Sequence, residues 1–229
     1  RSTALSTTLP ISRQALLNGS SMDFQTWEPI YERILSDFNY NREADEIAAR
    51  ILCSLIDKPL SPKVLSKVIA GEDISICGAA ETLAKEIEGI TGVVIAADEA
   101  TSTLLGCGIQ PDVIVTDLDG DVRDQIKASG QGSISVIHAH GDNIEALRRY
   151  AQCFTGPVVI TTQAAPSDNV YNFGGFTDGD RAFFLARECN AASIALLGFD
   201  FDHPQYKPGK DRAVKRKKLQ WARCLIEQH

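Results

Sequence analysis

The sequence predicts an α/β protein with a mostly parallel, doubly wound sheet and a small helical segment at its N-terminus. The first observation is a set of six runs rich in Val and Ile, each short enough for a strand buried on both faces. They cover residues 74–77, 93–97, 113–115, 134–137, 158–161 and 194–197. The second observation is that stretches with helical patterning, of about 8 to 12 residues, fit between most of these runs, as in βαβ units.

The residues before the first strand predict helices. Apolar residues recur there at helical spacing, at Tyr31, Ile34, Leu35 and Phe38 and again at Ile47, Ile51, Leu52, Leu55 and Ile56. Ser61 and Pro62 are typical of a helix start, and Gly71 is typical of the end of that short helix. We therefore divide this part of the chain into a helical segment over residues 22–72 and an α/β domain over residues 73–229.

The first 21 residues have a different composition. Residues 1–21 contain eight Ser or Thr, two Arg and no acidic residue, and the sole methionine, Met22, follows them. We interpret this stretch as a leader derived from a cloning vector. A transit peptide, which has a similar composition, is the alternative.

Composition and charge argue against several classes of protein. The 229 residues are 44% hydrophobic and 23% charged, which is ordinary for a globular protein. No apolar run approaches the ~20 residues of a membrane-spanning helix. The net charge of -7 disfavours binding to a nucleic acid, because like charges repel. The six cysteines show no CxxC spacing, so we expect reduced, mostly buried thiols in a cytoplasmic protein.

Polar and glycine residues directly follow several predicted strands. They include Gly78, Asp98, the segment 116–120, the segment 138–143 and Gln163. In open parallel sheets ligands bind at the carboxyl ends of the strands, so these positions predict a binding or active site. The turn at Gly78 is neither a GxGxxG nor a Walker A loop, which leaves a phosphate at the following helix N-terminus as its functional interpretation.

Asp117 and Asp119 are the candidate metal ligands. In an extended segment, alternation places both carboxylates on one side and close together. Two such carboxylates repel each other unless a cation lies between them, and hard oxygen ligands favour Mg²⁺. An Asp-Gly turn is the structural alternative.

Two histidines and an acid follow the fourth predicted strand. His138 and His140 share one face, and we interpret them as phosphate or substrate contacts, with a transition-metal site as the alternative. Asp142 either caps the next helix or assists the metal.

Basic residues near the C-terminus are candidates for binding phosphate. Arg181 follows a Gly-rich loop and can bind a phosphate through two N–H groups. Residues 207–218 hold seven basic residues and one acid. Lys215, Lys217 and Lys218 form either a polyphosphate clamp or a solvated helix face.

Two stretches carry a resemblance to known families. Ala97-Asp98, Gly108-Ile109-Gln110-Pro111-Asp112 and Thr116-Asp117-Leu118-Asp119-Gly120 resemble the nucleotide-binding half of thiamin pyrophosphokinases. His138-Ala139-His140-Gly141-Asp142-Asn143, the FGGFTDGDR string ending at Arg181, and Gly198-Phe199-Asp200-Phe201 resemble the archaeal 6-hydroxymethyl-7,8-dihydropterin pyrophosphokinases.

This resemblance implies a thiamin pyrophosphokinase-like domain that transfers diphosphate from ATP to the pterin hydroxymethyl group with Mg²⁺, releasing AMP, in methanopterin or folate-type biosynthesis. Catalytic roles then fall to Asp117, Asp119, Asp142 and Arg181, with Asp117 and Asp119 holding the metal. Contacts to ATP fall to Gly78, Asp98, His138, His140, Lys215 and Lys218. Pterin recognition falls to Gln163, Asn172, Asp178 and Asp180, because a pterin edge offers paired donors and acceptors.

The sequence leaves three alternatives open. In the first, the acceptor is thiamin instead of a pterin. In the second, the chain is a non-catalytic module that binds a nucleotide or a sugar phosphate. Departures from the family pattern at Ala80, Glu81 and Glu99 favour the module. Apolar residues on the helical segment also leave a homo-oligomer open.

Overall fold

The computed structural model describes residues 22–203 and 211–228, and the leader predicted over residues 1–21 lies outside them. The sheet has seven parallel strands: β1 (Asp73–Cys77), β2 (Val93–Ala97), β3 (Val113–Thr116), β4 (Ile134–Ala139), β5 (Val158–Thr162), β6 (Val170–Tyr171) and β7 (Ser193–Leu197). The helices are α1 (Phe24–Phe38), α2 (Arg42–Leu55), α3 (Lys63–Ile69), α4 (Leu83–Glu86), α5 (Ala100–Gly106), α6 (Val122–Gly130), α7 (Ile144–Tyr150), α8 (Asp178–Glu188) and α9 (Arg212–Glu227). The predicted α/β class and the six predicted strands are confirmed.

The strand order predicts a crevice at the carboxyl ends of β1 and β7. The order is β6-β5-β4-β3-β2-β1-β7, so the chain steps in one direction from β1 to β6 and then returns to put β7 beside β1. The returning helix α8 packs on β1, β2 and β3. Loops diverge where the direction of winding changes, and in such sheets this is where ligands bind.

Alternating side chains cover the two faces of the sheet with different helices. Ile74 and Ile95 pack with Leu185 of α8 on one face. Val94 and Leu104 of α5 belong to a separate buried cluster on the other face. Because successive strand residues point to opposite faces, this division shows helices on both sides and confirms the doubly wound arrangement.

Strand β6 is absent from the sequence prediction. It has only two residues, Val170 and Tyr171, which pair with Ile160 and Thr161 of β5. Two residues are too few for an alternating pattern, so sequence periodicity gives no signal for this strand.

The N-terminal helices pack directly onto the sheet. The predicted helical character of residues 22–72 is confirmed by α1, α2 and α3. Ala48 and Leu52 of α2 are fully buried in one cluster with Ile137 and Ile160 of the sheet. This packing brings α2 next to the carboxyl ends of β4 and β5.

Two predictions made from composition can be compared with the structure. All six cysteines are free, but only Cys77 and Cys189 are buried, and Cys107 and Cys153 are exposed, so their expected burial is wrong. Both exposed thiols lie at the ends of helical turns, where one side of the residue faces solvent. None of the helices in the described ranges combines the length and apolar character that crossing a bilayer requires.

Candidate active site

A cavity of about 470 Å³ lies at the carboxyl ends of β1, β2, β3 and β7. The start of α8 and one face of α9 complete its wall. Its polar lining includes Asp98, Asp117, Asp119, Asp178, Asp200, Lys215 and Lys218. The cavity therefore lies at the sheet edge where the sequence predicts a site.

Three carboxylates meet in this cavity. One oxygen each of Asp98, Asp117 and Asp178 lies within 4.8 Å of the other two. The sequence predicts Asp117 as a metal ligand, but it places Asp98 with ATP and Asp178 with the pterin. The structure instead brings these three acids together: Asp98 follows β2, Asp117 follows β3 and Asp178 begins α8.

Asp119 lines the same cavity but does not belong to this group of three. The prediction of an Asp117–Asp119 pair assumes an extended segment, and that geometry is wrong. Strand β3 ends at Thr116, and the buried Leu118 has a left-handed φ of 65°. The turn at Leu118 breaks the alternation that would place the two acids side by side.

Local hydrogen bonds hold Asp98 in place. Its backbone has a left-handed φ of 46°, and its N–H donates to the carbonyl of Val115 at 2.9 Å. Asp98 Oδ1 accepts hydrogen bonds from Thr116 Oγ1 at 3.0 Å and from Gln125 Nε2 at 2.8 Å. Sequence reasoning missed Gln125, which is buried on the inner face of α6.

Asp117 is surrounded by groups that favour its ionised form. Arg181 Nη1 lies 3.6 Å and His140 Nε2 lies 3.4 Å from Asp117 Oδ2. Burial alone would raise the pKa of Asp117. The hydrogen bond and charge of His140 and the charges of Arg181 and Lys218 outweigh it, so its pKa lies below the usual range.

Asp178 shows the opposite behaviour. Burial and the neighbouring charges of Asp117 and Asp98 raise its pKa well above the ordinary value. Arg181 Nη1, at 3.0 Å from Asp178 Oδ1, offsets this only in part. The guanidinium of Arg181 therefore does not balance the charges of all three carboxylates, and a proton on Asp178 would relieve the repulsion.

This donor set fits a divalent cation. Carboxylate oxygens are hard ligands, which Mg²⁺ prefers, and a cation would take the place of the proton on Asp178. Asp98, Asp117 and Asp178 are the residues that could hold it.

Binding of a divalent cation should depend on pH through Asp178. Protons compete with the cation at a carboxylate whose pKa is raised, so affinity should fall as the pH falls through that pKa. The metal-free protein should lose stability as the pH rises through that raised pKa, because a third negative charge then forms beside Asp98 and Asp117 and Arg181 offsets it only in part. Calorimetric titration with Mg²⁺ across a pH series checks this. Affinity independent of pH, with no proton release, would contradict it.

Gly120 keeps the space that Asp98 needs. A Cβ at this position would lie 2.5 Å from Asp98 Oδ2 and 2.6 Å from Glu99 Cγ. We expect Gly120→Ala to displace the Asp98 carboxylate and to lower kcat about tenfold or more. Gly106→Ala is the matched control, because nothing lies within 4 Å of a Cβ there. Equal kinetics of the two variants would show that Gly120 has no such role.

The end of β4 and the loop after it do not support all of the predicted contacts. His138, in β4, is only 2% exposed and does not line the large cavity, so the structure gives no support to its predicted contact with phosphate there. His140 lies beside Asp117 and accepts the N–H of Asp142 at Nδ1 (3.3 Å). Asp142 is exposed and is not part of the cavity lining, so neither the predicted cap nor the predicted catalytic role has structural support.

Three predicted pterin contacts are used inside the protein. Gln163 is buried, and its Nε2 donates to Asp45 at 2.8 Å. Asn172 donates to the backbone carbonyls of Gln163 and Ala164 and accepts from the N–H of Gly174. Asp180 is fully buried and accepts three hydrogen bonds in the capping box of α8.

The prediction that these three residues contact the pterin is therefore not supported. Their polar atoms satisfy local backbone and side-chain groups instead of facing the cavity. Of the four predicted pterin contacts, only Asp178 lines the cavity.

A buried acid that sequence reasoning missed connects the N-terminal helices to the site. Asp45 is 3% exposed and accepts hydrogen bonds from Tyr31 Oη (2.6 Å), Gln163 Nε2 (2.8 Å) and the N–H of Gly141 (2.7 Å). Asn143 in turn donates to the carbonyl of Asp117 at 2.8 Å. An acid on the apolar face of α2 is the signal that could have revealed this role.

The basic residues of α9 divide between two surroundings. Lys215 and Lys218 line the cavity, and the ammonium of Lys218 lies 5.6 Å from the ring centre of Phe176. Lys217 instead donates to the carbonyl of Asp37 at 2.6 Å. Residues 207–210 of the basic run lie outside the described residues.

Gly78 lines the cavity, and its contact with phosphate stays a prediction. A Cβ at this position would lie 2.6 Å from the carbonyl oxygen of Gly198, so the loops after β1 and β7 touch closely. A larger residue at position 78 would separate them.

Comparisons with known proteins decide the family. The model of the family described as 6-hydroxymethylpterin diphosphokinase MptE-like matches residues 51–205. This chain belongs to that family. A protein of Pyrococcus furiosus named 6-hydroxymethyl-7,8-dihydropterin pyrophosphokinase is 42% identical over 221 residues, covering 90% of this chain and 94% of the relative. Relatives of the same name from Methanothermobacter thermautotrophicus and Methanocaldococcus jannaschii are 40% and 35% identical, each over 90% of this chain.

The match to the MptE-like family includes all three acids that meet in the cavity, whereas the lysines of α9 lie beyond residue 205. Among solved structures, the MAf glycosyltransferase from Magnetospirillum magneticum AMB-1 is similar with a TM-score of 0.44 and 15% identity. That likeness covers 76% of this chain and 29% of the glycosyltransferase, and it is too distant to bear on function.

Proposed function

We propose that this member of the MptE-like family transfers diphosphate from ATP to 6-hydroxymethyl-7,8-dihydropterin and releases AMP. Three relatives at 35% to 42% identity carry the name of this pyrophosphokinase. The observation that carries the proposal is the meeting of Asp98, Asp117 and Asp178 in a cavity that Lys215 and Lys218 also line. Acidic groups for a cation and basic groups for phosphate are the two requirements of phosphoryl transfer.

The proposed cofactor is Mg²⁺, held by Asp98, Asp117 and Asp178. When bound, the cation neutralises negative charge on the phosphate oxygens of ATP. This set replaces the Asp117–Asp119 pair expected from the sequence. A direct role for Asp119, which lines the cavity, stays a prediction.

The protein's own cationic side chains would stabilise the remaining negative charge of the phosphates. Lys215 and Lys218 face the cavity and would bind the phosphates of ATP. Arg181 adds a fixed positive charge beside Asp117 and Asp178, where charge accumulates during transfer. The hydroxymethyl oxygen attacks the β-phosphorus, and the bond from that phosphorus to the oxygen it shares with the α-phosphate breaks. AMP leaves, and the hydroxyl proton passes to water or a base.

An apolar part of the cavity is suited to a flat heterocycle. Phe199 and Phe201, with ring centres 5.8 Å apart, line it together with Leu219 and Ala222. We propose that the pterin or adenine ring packs here, because aromatic faces favour stacking. We also propose a relationship to thiamin pyrophosphokinase domains, supported by the motif around Asp98 and Asp117. A cytoplasmic location is part of the same proposal and is supported by the free cysteines.

Product analysis tests the proposal. Purified protein is incubated with ATP, Mg²⁺ and 6-hydroxymethyl-7,8-dihydropterin, and the nucleotides are separated by chromatography. AMP should form in equal amount to the pterin diphosphate. ADP as product, or a preference for thiamin in a competition assay, would refute the proposal. ATP binding in calorimetry without AMP release for any pterin would point to a non-catalytic module.

A further inference from the structure

Arg181 connects the acids of the large cavity to a second, small cavity. Its Nη1 contacts Asp178 and Asp117, which both line the large cavity. The Arg181 side chain itself lines the second cavity, of about 10 Å³. The Arg181 Nε is buried and has no hydrogen-bond partner among the described residues. A guanidinium N–H without a partner in the protein interior is costly, so this atom requires an acceptor.

His138 presents the matching group to the same small cavity. It is 2% exposed, and its Nδ1 lies 3.0 Å from Thr161 Oγ1. The Thr161 hydroxyl donates to the carbonyl of Ile137 at 3.4 Å, so His138 Nδ1 carries the proton in this contact. His138 Nε2 is then an acceptor, and it too is buried without a partner among the described residues.

An unpaired donor and an unpaired acceptor thus share one small cavity. Its other walls are apolar or hydroxyl-bearing, formed by residues such as Val115, Thr162 and Leu185. A volume of about 10 Å³ is at the lower limit of what one water molecule needs, and too small for an organic ligand. No hydrogen bond joins Arg181 directly to His138 in the described residues.

We infer that a single water molecule binds in this cavity, accepting from Arg181 Nε–H and donating to His138 Nε2. His138 is then a positioning residue. Through the water it holds the Nε side of the guanidinium. This keeps Nη1 in contact with Asp178 and Asp117. The chain of contacts runs from the Ile137 carbonyl through Thr161, His138 and the water to Arg181. The inference rests on the proposed function only for its kinetic test.

The water itself is tested without any assay of activity. A high-resolution crystal structure of the full chain should show one water within hydrogen-bond distance of His138 Nε2 and Arg181 Nε. An empty cavity, or a direct contact between the two side chains, would overturn the inference. This result does not depend on which reaction the protein catalyses.

Two substitutions separate positioning from simple packing. His138→Gln places an acceptor near the position of Nε2, whereas His138→Asn keeps only the contact near Nδ1, toward Thr161. We expect His138→Asn to lower kcat for AMP release about tenfold or more with little change in the KM for ATP, and His138→Gln to stay within about threefold of the wild type. Equal or reversed effects, at equal melting temperatures, would overturn the positioning role.

If either variant fails to fold, the crystal structure of the wild type still decides. Absence of AMP release by the wild type would refute the proposed function and leave the water site to the crystal structure.

Discussion

Asp117→Asn is expected to reduce turnover about a thousandfold while leaving the fold intact. The amide keeps the shape of the side chain but removes the negative charge that faces Asp98, Asp178 and Arg181. Loss of that charge weakens the proposed cation site and leaves Arg181 with one carboxylate partner fewer. Initial rates of AMP release and a titration with Mg²⁺ measure the effect.

A matched control makes this test specific. Asp57 is exposed and does not line the cavity, so Asp57→Asn changes the overall charge by the same amount without touching the site. We expect wild-type rates for that variant. A rate near the wild type for Asp117→Asn would remove the basis of the proposed chemistry.

Arg181→Lys should lower kcat about a hundredfold and also lower the melting temperature. The guanidinium is buried and bridges Asp178 at 3.0 Å and Asp117 at 3.6 Å through one nitrogen. A lysine keeps the charge, but it is a point charge that lacks the rigid fork. The variant therefore leaves buried carboxylates with poorer partners. Steady-state kinetics and thermal unfolding are the measurements.

Arg187→Lys serves as the comparison for this change. Arg187 lies on the same helix, α8, and its guanidinium packs 5.9 Å from the ring centre of Phe183. Unlike Arg181, it does not line the small cavity, and it is absent from the lining of the large one, so activity should be retained. If both Arg→Lys variants lose activity equally, the effect comes from the helix and not from the site.

The sequence was informative where a pattern repeats. Val and Ile runs predicted six of the seven strands, because strands buried on both faces have to be apolar throughout. The two-residue strand at Val170 and Tyr171 has no pattern to detect. The location of the cavity could also be anticipated, since polar residues follow the strands at one edge of the sheet.

The exact set of acids could not be predicted in the same way. Asp98 and Asp178 are distant in sequence from Asp117, and only the folded sheet brings their oxygens within 4.8 Å. The nearer neighbour, Asp119, looked like the natural partner because the left-handed turn at Leu118 cannot be read from an alternating pattern. Spacing along the chain was therefore a poor guide to distance at this site.

Side chains with amide groups were misjudged for a related reason. Gln163 and Asn172 can bind a ligand or satisfy neighbouring backbone groups equally well, and the sequence does not distinguish these uses. In the structure the Gln163 amide donates to Asp45, and the Asn172 amide bonds to backbone groups through both its nitrogen and its oxygen. Conversely, Asp45 gave a signal as an acid on an apolar helix face, but its three donors come from distant parts of the chain.

The hydrogen bonds of Asp45 bear on how this enzyme can be engineered. The carboxylate on α2 holds the N–H of Gly141, and Asn143, two residues further on, holds the carbonyl of Asp117. A version trimmed to residues 73–229 would thus lose a support that lies two hydrogen bonds away from Asp117. Helix α2 therefore supports the loop that contacts Asp117, and a designer who transfers this cavity to another protein needs to include that helix.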